Sequence, residues 1–200
     1  ADYKKYYENK GNHIITTKIE HHAVLHTTEF LEKEGYDVTY LDVDKDGLIN
    51  LEELENSITD KTILISIIFA NNEIGTIQPI KEIGEIAKRH NVYFHTDAVQ
   101  AVGNVEINVK DLNIDLMSVT AHKIYGPKGV GALYVRKGVK LFPHIHGGGQ
   151  EKGRRAGTEN VSGIVGFGKA IELATSDISK KSEKISNFFE KIEKIFKNLR

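Results

Sequence analysis

The segment ILISIIF, residues 63–69, constrains the fold of this chain more than any other stretch. All of its residues are apolar except Ser66, and most of them are β-branched. A short run of this kind is typical of a parallel strand that is covered on both faces. The sequence therefore predicts a buried sheet with other elements on both sides of it.

Segments with strand or helix periodicity alternate along the rest of the chain. Strands are predicted at 14–18, 36–41, 92–97, 116–120 and 131–135, and helices at 23–34, 80–87 and 162–174. Gly35 closes the first of these helices, because glycine readily adopts the left-handed conformation that ends a helix. Strands separated by helices favour an α/β fold, so we predict a mainly parallel sheet flanked by helices.

Residues 176–200 are predicted to form one amphipathic helix. Its apolar stripe consists of Ile178, Ile185, Phe188, Phe189, Ile192, Phe196 and Leu199. An apolar helix face is normally covered by another part of a protein. We therefore expect a domain over residues 1–175, followed by a helix that leads toward a further, smaller domain.

Composition excludes several classes of protein. Lys and Arg number 27 and Asp and Glu number 28, so the net charge of -1 offers no general attraction to nucleic acid or to an acidic membrane. No apolar run reaches the roughly 18 residues of a membrane span, and we expect a cytoplasmic protein. The absence of cysteine excludes disulfides and a cysteine nucleophile within these 200 residues.

The acidic segment LDVDKDGLINLEELENSI, residues 41–58, has the spacing of an EF-hand calcium loop. The matching positions are Asp42, Asp44, Asp46, Gly47, Ile49 and Glu53. A strand-like segment enters this loop, whereas an EF-hand loop is entered by a helix. Asn50 and Glu53 also fit a capping box for a helix whose apolar face would be Leu51, Leu54 and Ile58. We interpret the segment as a solvated turn, with a calcium-binding module as the alternative, and expect no metal site.

Polar side chains follow the predicted strands at their carboxyl ends, where parallel α/β sheets bind ligands. They are His21, Asn71, Asn72, Asp97, Gln100, Thr120, His122 and Lys123. Pyridoxal phosphate requires a lysine amine for a Schiff base with its aldehyde and a carboxylate that keeps its ring nitrogen protonated. Lys123 and Asp97 are candidates for these two roles. Taken alone, an aspartate at the end of a strand is more often a cap than a cofactor partner, and a lysine in this position is usually solvated. A non-enzymatic binding module is therefore the alternative.

Five motifs together carry a resemblance to a known family: EHHAV, NNEIGTIQPI, HTDAVQ, TAHKIYGPKGVGALYV and GGGQEKGRRAGTEN. They resemble the NifS/IscS-type cysteine desulfurases, class-V aminotransferase relatives that use pyridoxal phosphate, and they follow that family's order. The resemblance runs from about residue 11 to about residue 174. It implies the large domain of the pyridoxal-phosphate transferases of fold type I.

The resemblance also implies a role for each of eight residues. Lys123 would bind the cofactor covalently, and Asp97 would pair with its ring nitrogen. Gln100 would hydrogen-bond the phenolic oxygen, and Asn72 would lie near that oxygen and the substrate carboxylate. His21 would stack on the ring and transfer protons, so Lys123 and His21 are the predicted catalytic residues. The phosphate would be bound by Thr120, His122 and, from the other subunit of a homodimer, Thr158.

The implied reaction converts L-cysteine to L-alanine, with the sulfur carried as an enzyme persulfide to an iron–sulfur scaffold or another acceptor protein. The family's phosphate-binding turn would precede this sequence, and its nucleophilic cysteine and a substrate-binding arginine would follow Arg200. We therefore expect a large domain truncated at both ends and inactive alone as a desulfurase. Another class-V aminotransferase or lyase, for example one resembling selenocysteine lyase, is the alternative.

Overall fold

A six-stranded sheet forms the centre of the computed structural model, which describes residues 10–198. The strands are β1 (His13–Thr17), β2 (Asp37–Leu41), β3 (Thr62–Ser66), β4 (Tyr93–Asp97), β5 (Leu116–Thr120) and β6 (Gly131–Val135). Their spatial order is β2-β1-β3-β4-β5-β6. Neighbouring strands from β2 to β5 are parallel, and β6 runs antiparallel to β5. The prediction of a mainly parallel α/β sheet is confirmed.

Helices connect most of these strands and extend beyond the last one. They are α1 (His22–Lys33), α2 (Leu51–Asn56), α3 (Ile80–Arg89), α4 (Val161–Thr175) and α5 (Ile178–Asn198). A 3-10 turn spans His122–Ile124, and a distorted helical turn spans Gln150–Gly153. The predicted elements agree with these to within a few residues.

The apolar run 63–69 extends beyond the end of β3. The amides of Ile67 and Phe69 donate to the carbonyls of His95 and Asp97 at 3.1 and 2.9 Å. The run is therefore bonded to β4 as far as Phe69, which brings the chain after β3 close to the end of β4.

The two faces of the sheet differ in function. Ile15, Ile65 and Phe94 project to one face and are completely buried in the main core, together with Ile83 of α3. The residues that alternate with them, such as Ile14 and Leu64, line a cavity on the opposite face. One face thus provides the core, and the other provides the site.

A smaller core holds the 3-10 turn against α4. Ala121 and Ile124 pack on Phe167 and Ala170 in this cluster. Contact is close at Gly126, where a Cβ atom would lie 2.9 Å from the Cβ atoms of both Ala121 and Ala170. The position of the turn that carries Lys123 is therefore set by helix α4.

Helix α5 has the predicted apolar stripe, and much of it is exposed. Exposed members are Ile185, Phe188, Phe189 and Phe196, whereas Leu199 lies outside the described residues. Near its start, Lys181 donates to the carbonyl of Gly103 at 3.0 Å and to Oδ1 of Asn104 at 2.8 Å. Within residues 10–198, no helix combines the length and apolar character needed to cross a membrane.

The acidic loop enters from strand β2 and makes its own hydrogen bonds. Oδ1 of Asp44 accepts the amides of Asp46 and Leu48, both at 2.9 Å. Asn50 is the N-cap of α2, as predicted, because its Oδ1 accepts the amides of Glu52 and Glu53 at 2.9 and 3.1 Å. Helix α2 ends at Asn56, earlier than the pattern predicted, and Ile58 packs on the main core from beyond the helix. In the described part of the chain, no group of three or more side chains has the arrangement of a metal site.

Candidate active site

A cavity of about 620 Å³ lies on the face of the sheet opposite the main core, at the carboxyl ends of β3, β4 and β5. Helix α1 forms one wall of it through Val24, Thr28 and Leu31. Seven of the eight predicted site residues line this cavity: His21, Asn72, Asp97, Gln100, Thr120, His122 and Lys123. The carboxyl ends of parallel strands lie at the same edge of a sheet. Site residues that are distant in the sequence therefore meet at this edge.

Lys123 and Asp97 face the same cavity from neighbouring strands. Lys123 lies in the 3-10 turn after β5, and its side chain is exposed. Asp97 ends β4 and is only 9% exposed. The amide of Val99 donates to its Oδ1 at 2.9 Å, whereas Oδ2 accepts no hydrogen bond from residues 10–198. One carboxylate oxygen is thus held in place, and the other remains available to a ligand.

Thr120 and His122 form a polar pair beside Lys123. The hydroxyl of Thr120 and Nδ1 of His122 are 2.9 Å apart. Gln100 follows Asp97 in the turn after β4, and its backbone carbonyl accepts a hydrogen bond of 2.8 Å from Asn104. Hydroxyl, imidazole and amide groups therefore surround the lysine and the carboxylate.

His21 is the N-cap of helix α1 and lines the cavity from an exposed position. Its Nδ1 accepts the amide of Ala23 at 3.1 Å. Because a nitrogen that accepts a hydrogen bond carries no proton, the neutral ring has its proton on Nε2. The start of the helix therefore selects the tautomer of His21.

Asn72 lies in a loop whose conformation is set by its neighbours. Oδ1 of Asn71 accepts the amides of Glu73 and Ile74 at 2.8 and 3.1 Å. Gln78 joins the loop to the acidic segment, because its Nε2 donates to the carbonyl of Gly47 at 2.6 Å. The segment with EF-hand spacing thus supports the loop that carries Asn72.

Three residues of the cavity floor were not identified from the sequence. His95 on β4 bridges its neighbouring strands, with Nδ1 at 2.8 Å from Oγ of Ser66 and Nε2 at 2.9 Å from Oγ of Ser118. All three line the cavity. The sequence contained a signal for two of them. His95 and Ser118 lie two residues before Asp97 and Thr120, and alternate residues of a strand point to the same face of the sheet.

Thr158 is the one predicted site residue that does not line this cavity. It is exposed in the loop between the turn Gln150–Gly153 and α4. That loop has internal hydrogen bonds, for example from the amide of Gly157 to Oε1 of Gln150 at 3.1 Å. The prediction placed Thr158 in the site of another subunit, and its role stays a prediction.

The donor set and the cavity fit pyridoxal phosphate. A lysine amine and a carboxylate with one unengaged oxygen face one volume, and a hydroxyl and an imidazole lie beside the lysine. The volume falls within the range of about 300–1,000 Å³ that is usual for small-molecule sites. These residues supply the groups that the aldehyde, the ring nitrogen and the phosphate of that cofactor require.

Comparison with known proteins gives a consistent result. Residues 3–200 match the aminotransferase class-V family. Cysteine desulfurase IscS of Clostridium botulinum is 67% identical over 180 residues, which are 90% of this chain and 45% of that protein. Cysteine desulfurase IscS of Methanosarcina thermophila is 67% identical over 174 residues, which are 87% of this chain and 43% of that protein. The chain spans about half the length of the curated relatives it matches.

Solved structures of related proteins share the fold. A NifS-like protein superposes with a TM-score of 0.93 at 44% identity, over 98% of this chain and 54% of that one. SspA in complex with cysteine superposes with a TM-score of 0.82 at 47% identity, over 92% of this chain and 54% of that one. The predicted resemblance to NifS/IscS-type proteins and to their fold is confirmed.

Proposed function

This chain belongs to the class-V aminotransferase family, and on that premise we propose that it carries the pyridoxal-phosphate site of a cysteine desulfurase. The observation that carries the proposal is that Lys123 and Asp97 line one cavity. The names of its relatives, at up to 67% identity, support the same activity.

Each cofactor group has a partner in the proposal. Nζ of Lys123 would bond to the aldehyde carbon, and Oδ2 of Asp97 would accept a hydrogen bond from the protonated ring nitrogen. Thr120 and His122 would bind the phosphate, and Gln100 would bind the phenolic oxygen. When bound, pyridoxal phosphate withdraws electrons from the bonds around the α-carbon of an attached amino acid.

The chain's own residues would move the protons. Lys123 would accept and return a proton at Nζ whenever its amine is free. His21 presents an N–H at Nε2, since its Nδ1 is occupied by the amide of Ala23.

We propose L-cysteine as the substrate, which the relatives' names and the SspA complex with cysteine support. Asn72 would contact the substrate carboxylate. The sulfur would pass to a thiol as a persulfide and leave alanine. These 200 residues contain no cysteine, so that thiol is not supplied by their side chains. The proposal includes a cytoplasmic homodimer, with Thr158 reaching the partner's phosphate site, and an iron–sulfur scaffold or other acceptor protein.

The proposal is tested by trapping the cofactor. Protein incubated with pyridoxal phosphate and reduced with borohydride is expected to carry the label at Lys123, as located by peptide mass spectrometry. Lys123→Arg should abolish this label. The control Lys128→Arg, changed at an exposed lysine that does not line the cavity, should retain it. A label found elsewhere with Lys123 unmodified would contradict the assignment.

A further inference from the structure

Glu20 has no part in the proposed chemistry, yet its carboxyl group is buried beside the site. It directly precedes His21 and is 5% exposed. Its Oε1 accepts the amide of Ile68 at 2.8 Å and the hydroxyl of Thr17 at 2.7 Å. Carboxylates are rarely buried to this extent, because removing a charge from water is costly unless it is paired.

The contacts of Glu20 join two segments that lead to site residues. Thr17 ends β1, and the turn that follows it carries His21 into helix α1. Ile68 follows β3, and the chain after it carries Asn72. A second hydrogen bond, from Nδ2 of Asn71 to the carbonyl of Ile19 at 2.9 Å, joins the same two segments.

The surroundings of Oε2, the other oxygen of Glu20, favour the neutral form of the carboxyl group. Oε2 is buried and has no hydrogen-bond partner among residues 10–198. Burial raises the pKa of Glu20 to about 7, with a further contribution from the negative charge of Asp97, whereas the hydrogen bonds from Ile68 and Thr17 act against this rise. When Glu20 is protonated, this corner of the site has a single carboxylate, Asp97. At pH values below its pKa, Glu20 is therefore suited to hold backbone in place without adding a second charge.

We propose that Glu20 is a positioning residue that holds His21 and Asn72 at the rim of the cavity by joining the β1–α1 turn to the end of β3. The importance of that rim for cofactor binding rests on the proposed function. The junction itself consists of contacts within the chain and is independent of any cofactor.

Two substitutions separate the hydrogen bonds from the charge. Glu20→Gln keeps a carbonyl oxygen that accepts the same two bonds and is neutral at every pH. Glu20→Leu removes the acceptor and leaves the amide of Ile68 without a partner. The matched control is Glu52→Gln, on the exposed side of α2.

Three properties of each variant are measured. They are hydrogen exchange at the Ile68 amide, the NMR signals of the His21 ring, and the dissociation constant for pyridoxal phosphate, which is obtained from its visible absorption. At a pH below the pKa of Glu20, where its carboxyl group is mainly neutral, Glu20→Gln and Glu52→Gln are expected to match the wild type in all three. Glu20→Leu should exchange faster at Ile68, shift the His21 signals and bind pyridoxal phosphate about tenfold more weakly.

The outcomes are distinct. If Glu20→Leu keeps the Ile68 amide protected, leaves His21 unchanged and binds the cofactor normally, the inference is overturned. If Glu20→Leu does not fold, Glu20→Asp provides the same test, since its shorter side chain cannot reach both donors. If the wild type binds no pyridoxal phosphate, the proposed function fails, while the exchange and NMR measurements still decide on Glu20.

Discussion

His95 lies two residues before Asp97 on the same face of β4, and both side chains line the cavity. Burial lowers the pKa of His95, although the negative charge of Asp97 opposes this shift. The ring is therefore neutral at neutral pH, with its two nitrogens bonded to serines of the adjacent strands. His95 therefore does not neutralise the negative charge of Asp97, which lines the same cavity.

The charge of Asp97 can be tested with Asp97→Asn, which preserves the shape of the side chain. We expect pyridoxal phosphate to bind about 10- to 100-fold more weakly, because a hydrogen bond to a charged partner becomes a neutral one. The dissociation constant is measured by absorption titration. Asp60→Asn, at an exposed position away from the cavity, is the control and should bind as the wild type does. Unchanged affinity in Asp97→Asn would exclude Asp97 as the partner of the ring nitrogen.

The stability of the fold should depend on pH through His95. Its pKa in the folded protein is lowered from 6.5, so below pH 6.5 the unfolded chain binds a proton that the folded protein does not. The stability due to this residue is complete above pH 6.5 and is lost as the pH falls toward the folded pKa. The stability should therefore fall between pH 6.5 and 5.5, and a single group can account for at most about 1.4 kcal/mol per pH unit.

The contribution of His95 is isolated by comparing urea unfolding of the wild type and His95→Gln over this pH range. Glu20 acts in the opposite direction, because its pKa rises from 4.5 to about 7 on folding and its contribution to stability is lost as the pH rises between these values. Only the difference between the two proteins therefore reports His95. The control is His144→Gln, at an exposed position. Equal pH dependence in wild type and His95→Gln would contradict the prediction.

The packing of the Lys123 turn on α4 predicts opposite effects for two glycines. Gly126→Ala places a methyl group 2.9 Å from two Cβ atoms, so the turn must shift and both stability and trapping at Lys123 should fall. Gly168→Ala, within α4, meets no atom of the described residues within 4 Å apart from its chain neighbours and its own helix backbone, and it should stabilise the protein by about 0.5–1 kcal/mol. Thermal unfolding and the borohydride label measure the two effects. A Gly126→Ala protein with wild-type stability would show that the contact is not restrictive.

Much of the fold was predictable because it depends on local pattern. The apolar run 63–69 and the alternation in 116–120 identify strands without knowledge of their neighbours. The pattern of apolar residues did not show whether β6 runs parallel or antiparallel to β5. A chain of ten residues, 121–130, connects it to β5 without a full helix, and such a short link favours an antiparallel return. The end of α2 was wrong by about two residues, because Ser57 ends the helix although Ile58 continues the apolar pattern.

The sequence by itself determined the types of element and the polar residues that end the strands, since periodicity and strand polarity are properties of consecutive residues. It therefore predicted that Lys123 and Asp97 would lie at one edge of a sheet. Only the tertiary structure decided which side chains meet across strands. Ser66 and His95 are 29 positions apart, and Glu20 and Ile68 are 48 apart. The burial of Glu20 and the neutral state of His95 follow from those distant neighbours, because desolvation and hydrogen bonding depend on what surrounds a group in space.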